Sequence, residues 1–177
     1  MKTFKLLSIV ALVVILIGCK HEKVYNQTIK DPKTGQEILY GHCDVSGIKG
    51  SIFQEAYVKG MSEYVAHDST VQAFKPLLQD VTFKVFMGTW DAASQAVVPV
   101  LVNVLFNAEY DATKAENIEL ICLDSEMKCE VEDPADYQVK QLPTIILYNK
   151  GTEFARMEGS PAVKMETALL QLLKQKK

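Results

Sequence analysis

The sequence contains no pair of cysteines at C-x-x-C spacing, although it has four cysteines in 177 residues. This absence excludes a zinc knuckle and a dithiol redox motif, because both need two cysteines at C-x-x-C spacing. Arginine is nearly absent as well, since Arg156 is the only one, and acidic residues outnumber basic ones by 22 to 19. A chain with this charge has no basic stripe, so we expect no nucleic-acid partner.

The N-terminus has the pattern of an export signal. Lys2 and Lys5 precede an apolar run over residues 6–17, and polar residues follow the run. The run is too short to span a bilayer comfortably, so we interpret residues 1–18 as a signal peptide outside the fold. A short, uncleaved membrane anchor is the alternative.

The stretch "LIGC", Leu16 to Cys19, resembles the lipobox of bacterial lipoproteins. This resemblance implies cleavage before Cys19 and attachment of several acyl chains, each buried methylene adding about 0.8 kcal/mol of membrane affinity. Lys20, rather than aspartate, follows the cysteine, which favours the outer membrane under the sorting rule of enteric lipoproteins. We therefore expect a lipid-anchored protein of the bacterial cell envelope that faces the periplasm, with residues 19–36 as a polar, turn-rich tether.

Residues 37–80 are predicted to form an N-terminal helical extension. "EILYG" is a candidate short strand, and the following "GHCDVSGIKGS" is predicted as a loop. Apolar positions recur at helical spacing over residues 52–67, and a second helix is predicted over residues 69–78. Pro76 lies inside that second helix, which predicts a kink or an early end.

Residues 81–177 alternate between strand and helix patterns. "VTFKVFMG" and "ENIELICLD" predict two strands, and the long apolar segment between them predicts a helix. A hairpin is predicted around Asn149-Lys150-Gly151, and a final helix follows it. A helical crossover makes the first two strands parallel and the hairpin adds antiparallel strands, so the sheet is mixed.

Four features of this region resemble the thioredoxin fold. Trp90 ends the first strand, Ser94 lies on the first turn of the next helix, Pro99 interrupts that helix, and Pro143 precedes the next strand. The resemblance implies an α/β, three-layer fold with a mixed central sheet flanked by helices. It extends to thioredoxin-family envelope proteins of Bacteroidetes-type bacteria, in which an N-terminal helical extension precedes a "GTWC" motif. It also implies that the Leu142-Pro143 peptide bond is cis.

The departure from the thioredoxin pattern lies at the two motif cysteines, where this chain has Asp91 and Ser94. Disulfide exchange needs a thiolate that attacks a sulfur, and neither a carboxylate nor a hydroxyl can replace it. We therefore expect no catalytic residue at these positions and no cofactor. A thiol-disulfide oxidoreductase that uses Cys43 or Cys129 is the alternative.

Two roles are open to Asp91. It can cap the helix by accepting from the amide of Ala93 or Ser94, which stabilises a helix by about 1 kcal/mol. It can also recognise a protein or peptide partner in the envelope together with Trp90, Leu142 and Pro143. The two roles are compatible.

The remaining candidates have simpler interpretations. Cys122 lies in an apolar strand and is predicted to be a core residue. Cys43 and Cys129 lie in predicted loops, where a disulfide between them is one alternative. His42 beside Cys43 is interpreted as part of a solvated loop, and no metal site is expected. The acidic stretch over residues 124–136 is interpreted as solvated surface.

Overall fold

The computed structural model describes residues 23–50 and 52–176. The expected signal peptide and Cys19 lie outside the described residues. The strands are β1 (Gln27–Lys30), β2 (Glu37–Cys43), β3 (Val81–Met87), β4 (Ile118–Cys122), β5 (Thr144–Asn149) and β6 (Thr152–Glu158). The helices are α1 (Val45–Ile48), α2 (Gln54–Glu63), α3 (Asp68–Phe74), α4 (Ala92–Asn107) and α5 (Met165–Leu173), with 3-10 helices at Lys75–Leu78 and Pro134–Tyr137. None of the described helices is long and apolar enough to cross a membrane.

The six strands form one mixed sheet in the order β1-β2-β4-β3-β5-β6. β3 pairs with β4 in parallel and with β5 in the antiparallel sense, and β6 pairs antiparallel with β5. Helix α4 connects the parallel pair, as a crossover must, since parallel neighbours cannot be joined by a tight turn. This arrangement confirms the predicted mixed sheet and the thioredoxin-like fold.

Helices α4 and α5 cover one face of the sheet. The main core contains Val85 and Met87 of β3, Leu101 and Val102 of α4, and Leu169 of α5. The other face carries a smaller apolar group, which we call the second cluster: Phe86, Ile121, Leu123, Leu142 and Ile146. The connection between β4 and β5 covers this second face, and its described helical structure is the 3-10 helix that begins at Pro134.

Helix α2 packs against α4, α3 packs against α5, and α1 packs against β2. Helix α2 lies against α4 so closely that a Cβ at Gly60 would be 2.4 Å from Cβ of Pro99. Helix α4 runs through Pro99 without ending, and it is buried nearly all round because the sheet and α2 enclose it. The predicted second helix ends early at Phe74 and continues as the 3-10 helix containing Pro76.

The structure differs from the sequence-based expectation near the N-terminus. The expected tether contains β1, which pairs with β2. The expected loop contains the end of β2 and helix α1, which Asp44 caps by accepting from the amides of Ser46 and Gly47. Three of the four side chains of β1 are exposed, so the strand carries little hydrophobic pattern, and pairing with β2 is what makes it a strand.

Candidate functional site: the start of helix α4

The polar residues at the motif positions form a compact helix start. Asp91 is the N-cap of α4, and its Oδ2 accepts a hydrogen bond from the Ser94 amide at 2.6 Å. This contact confirms the capping role predicted for Asp91 and satisfies one of the free amides of the first turn. Asp91 is half-buried, and Ala92 beside it is exposed.

Ser94 is fully buried and ties the helix to the strand before it. Its Oγ accepts a hydrogen bond from the Gly88 amide at 3.2 Å. The Ser94 side chain therefore connects the first turn of α4 to the end of β3. The Ser94 hydroxyl thus has a hydrogen-bond partner inside the protein and is not exposed to solvent.

Trp90 lies across the end of the sheet. Its indole Nε1 donates to the Leu123 carbonyl oxygen at 3.0 Å, and its ring packs against the second cluster. A Cβ at Gly88 would be 2.7 Å from this Nε1, so the indole position requires glycine there. The hydrogen bond satisfies the polar end of a half-buried aromatic side chain.

The loop before β5 meets Trp90 through the same cluster. The Leu142-Pro143 peptide bond is cis, as predicted. Leu142 is a member of the second cluster, and the Pro143 carbonyl oxygen accepts from the Gly159 amide at 2.7 Å. The fold therefore places Trp90 and Leu142 against one apolar group, with Asp91 beside Trp90 at the helix start. Leu142 and Pro143 are both buried, whereas Trp90 and Asp91 are half-buried.

The described cysteines are all free thiols. Cys43 lies at the end of β2 and Cys122 at the end of β4, and both are fully buried, while Cys129 is half-buried. A disulfide between Cys43 and Cys129, which the sequence left open as an alternative, is not formed. Burial and the neighbouring Cys43 raise the pKa of the Cys122 thiol, and burial raises the pKa of the Cys129 thiol.

His42 is buried on β2, which corrects its interpretation as part of a solvated loop. Its ring faces two carboxylates, Glu119 of β4 and Glu132 of the connection before β5, and an ammonium, Lys84 of β3. We call these four residues the sheet-face cluster. Sequence reasoning missed it, because the four residues come from distant segments that only the sheet brings together.

The acidic stretch before β5 is partly structural. Asp124 is buried, and its Oδ1 accepts from the amides of Glu126 and Lys128, each at 2.9 Å. Glu132 pairs with Lys84 at 2.6 Å. These two residues correct the interpretation of the stretch as solvated surface, because each carboxylate has partners inside the protein.

A shallow groove of about 670 Å³ lies beside the motif helix. Helix α2 forms one wall, including Ala56, Lys59 and Glu63, and Ala92 and Gln95 of α4 form the other. The groove begins one residue after Asp91. The exposed start of α4 therefore borders both the groove and the face around Trp90.

No protein-family model matches the sequence, and no curated protein matches it. Among solved structures, the protein is similar to thioredoxin from Fasciola hepatica, with 18% identity, a TM-score of 0.38 and coverage of 60% of this chain and 89% of that one. Thioredoxin from Aeropyrum pernix has 16% identity and a TM-score of 0.39 over 63% of this chain and 84% of its own. Reduced Schistosoma mansoni thioredoxin has 20% identity and a TM-score of 0.37 over 56% and 89%.

Proposed function

We propose that this protein is a lipid-anchored thioredoxin-fold protein of the cell envelope that binds a protein or peptide partner and carries out no disulfide exchange at the motif positions. The binding face consists of Trp90, Asp91 and Leu142 with the adjoining Pro143 loop. The observation that carries the proposal is the helix start itself. At the positions that the resemblance assigns to the two thiols stand Asp91 and Ser94, while the indole of Trp90 and the side chain of Leu142 both belong to the second cluster and its packing.

The character of this face suits a polypeptide partner. Trp90 combines a large apolar ring with a fixed orientation, and aromatic side chains of this kind are enriched where proteins bind proteins. The Asp91 carboxylate adds a negative charge at the next position in the chain. The groove along α2 extends the surface, so an extended segment can continue past Ala92.

The alternative, an oxidoreductase that uses Cys43 or Cys129, has less support. Cys43 is fully buried, and a disulfide substrate needs an accessible thiol. Cys129 is half-buried, and its raised pKa lowers the fraction of thiolate at neutral pH. Both features oppose attack on an external disulfide.

The single tryptophan provides a direct test of the binding face. We expect a saturable change in Trp90 emission when the protein is titrated with an unfolded, cysteine-free polypeptide. Asp91→Asn keeps a helix cap and removes the charge, because asparagine caps as well as aspartate. It should therefore weaken binding while the protein stays folded. Asp136→Asn, at an exposed position that is not one of the residues of the face, is the matched control.

Two results would contradict the binding proposal. One is emission that stays constant over the titration while another method, such as ultracentrifugation, also detects no complex. The other is a complex that forms with equal affinity in the wild type, Asp91→Asn and a Trp90→Phe variant, because binding would then use another surface.

The anchor is a separate part of the proposal. The "LIGC" stretch supports lipidation at Cys19, and Lys20 directly after it favours the outer membrane, with the protein facing the periplasm. Because β1 already begins at Gln27, little chain is left to act as a tether. Lys23, the first described residue, lies four positions after Cys19, and this length of chain spans about 14 Å at full extension. The domain is therefore expected to stay close to the lipid surface.

Metabolic labelling with a radioactive fatty acid tests the anchor. The wild-type protein should be labelled and fractionate with the outer membrane, and Cys19→Ser should be unlabelled and soluble. Cys129→Ser is the matched control and should be labelled like the wild type. Label that persists in Cys19→Ser contradicts lipidation at this cysteine and leaves the binding proposal untouched.

A further inference from the structure

The sheet-face cluster brings three metal-binding side chains to one point. The ligand atoms of His42, Glu119 and Glu132 all lie within 4.8 Å of one another. They come from β2, β4 and the connection before β5, so the tertiary fold assembles the group from three parts of the chain. The group lies on the sheet face opposite α4, the face that also carries the second cluster.

His42 is the residue that points to a ligand. Its side chain is buried, with the residue only 7% exposed, and its Nδ1 has no hydrogen-bond partner among the described residues. This nitrogen faces Glu119, whose Oε1 is 3.4 Å away. A buried polar atom without a partner is unfavourable, so an unpaired nitrogen beside two carboxylates requires an explanation.

The imidazole of His42 can present a free lone pair to a cation. Burial and the Lys23 ammonium lower the pKa of His42. In the tautomer with hydrogen on Nε2, the Nδ1 lone pair is free to bind a cation. Burial opposes ionisation of Glu119, but the hydrogen bond from Lys23 and the charge of Lys84 outweigh it, and its pKa is lowered.

The Lys84 ammonium lies between the two carboxylates, where a metal ion would also bind. Its Nζ lies 3.1 Å from Glu119 and 2.6 Å from Glu132, and it donates to the Tyr137 hydroxyl at 3.1 Å. Lys23 also contacts Glu119 from the surface, with half of its side chain exposed. The ammonium of Lys84 draws the two carboxylates together, and a divalent ion at the same place would hold them with twice the charge.

We propose that His42, Glu119 and Glu132 bind a divalent transition-metal ion, with zinc as the probe, in exchange for the ammonium of Lys84. One imidazole and two carboxylates are a ligand set that zinc accepts, with water in the fourth position. Ligand atoms around tetrahedral zinc are about 3.3 Å apart, given bond lengths of about 2.0–2.1 Å. The two glutamate side chains close the remaining gap by rotating, and the long Lys84 side chain turns away.

Exchange of the ion for the Lys84 ammonium predicts how substitutions change the affinity for zinc. Because Lys84 competes with the ion, wild-type affinity is limited, and removing the ammonium should strengthen binding. Lys84→Met should tighten zinc binding by about tenfold or more, and His42→Ala should weaken it by a similar factor. Unfolding of a variant can weaken zinc binding but cannot strengthen it at this site. The expected gain in Lys84→Met therefore separates the proposal from a loss of binding through unfolding.

The test is a calorimetric titration of the full chain, purified without an affinity tag, with zinc chloride. Glu126→Gln, on the same connection and outside the cluster, should bind like the wild type. Cys129→Ser should also bind like the wild type, which separates this site from binding by the half-buried thiol. Circular dichroism establishes that each variant is folded.

Three results would overturn the metal site. The first is a wild-type chain with no saturable zinc binding. The second is affinity that is unchanged in His42→Ala or lost in Cys129→Ser, because the ion would then bind elsewhere. The third is affinity in Lys84→Met that is equal to or weaker than that of the wild type. None of these results bears on the binding face at Trp90, which uses other residues.

Discussion

Asp91 and Ser94 are joined by a hydrogen bond of 2.6 Å from the Ser94 amide to the Asp91 carboxylate. In the resemblance to thioredoxins, these are the positions of the two cysteines. Ser94 in turn accepts from the Gly88 amide, so the pair links the end of β3 to the first turn of α4. Two polar side chains thus stabilise the helix start at the positions that the resemblance assigns to the thiols.

The cap predicts a defined loss of stability. Asp91→Ala should lower the free energy of unfolding by about 1 kcal/mol, because the Ser94 amide loses its acceptor. Asp91→Asn should stay close to the wild type, since asparagine can accept the same hydrogen bond. Urea unfolding followed by circular dichroism measures both. An Asp91→Ala variant as stable as exposed Asp136→Ala would contradict the capping role.

The wild-type protein should not reduce disulfides. The reason is that disulfide exchange requires a nucleophilic thiolate, and the motif positions hold a carboxylate and a hydroxyl. Insulin reduction with dithiothreitol as the electron source should proceed at the uncatalysed rate. Turnover above that rate, lost on substitution of Cys43 or Cys129, would favour the oxidoreductase alternative.

Cysteines introduced at positions 91 and 94 should confer disulfide exchange. In the Asp91→Cys, Ser94→Cys double variant, the first thiol would lie at a helix N-terminus, where partial positive charge favours the thiolate. Its pKa should fall below the usual value of about 8.5, and the loss of the cap should cost about 1 kcal/mol of stability. Thiol titration and the insulin assay test the two parts. The Ser94→Cys single variant is the control and should stay inactive.

An unshifted thiol pKa in the double variant, with no activity, would mean that more than the sulfurs has been lost. In that case the face around Trp90 would differ from a substrate-binding face, and the binding proposal would lose its support.

The contact between α2 and α4 predicts that Gly60→Ala is destabilising. An added Cβ would lie 2.4 Å from Cβ of Pro99, whose ring cannot rotate away. We expect a loss of about 1–3 kcal/mol from overpacking, larger than the gain in helix propensity of about 1 kcal/mol. Exposed Ser62→Ala on the same helix is the control. A Gly60→Ala variant more stable than the wild type would show that α2 can shift without cost.

Glu166 predicts a dependence of stability on pH. It is fully buried, and its carboxylate accepts from the Tyr64 hydroxyl at 2.6 Å and the His67 amide at 3.1 Å. Burial raises its pKa, but these hydrogen bonds outweigh burial, so the pKa in the folded protein is lowered. The resulting stability is present above the unfolded pKa of about 4.3 and is lost as pH falls through the lower, folded value.

Glu166→Gln should therefore cost about 1–3 kcal/mol at pH 7, and the difference from the wild type should shrink below about pH 4. Urea unfolding at a series of pH values measures this difference. Exposed Glu130→Gln is the control and should give no such trend. A difference that stays constant down to pH 3 would contradict a lowered pKa for Glu166.

The region from β3 to α5 could be predicted from local sequence. Alternation in β3 and an apolar helix after it are patterns that neighbouring residues create, and a helical crossover leaves only a parallel pairing. The cap at Asp91 is equally local, because it involves residues three positions apart. The proximity of Leu142 to Trp90 was implied by the resemblance to thioredoxins. Neither the segment around Trp90 nor the segment around Leu142 predicts it alone.

The N-terminal half and the sheet-face cluster could not be predicted in this way. β1 has mostly exposed side chains, so nothing in its own pattern separates it from a tether, and it is a strand because the edge of β2 pairs with it. His42 has polar neighbours in the chain, but its burial depends on strand register, which places it opposite Ile121 of β4. Register and pairing arise from contacts between distant segments, and a local pattern contains no information about them.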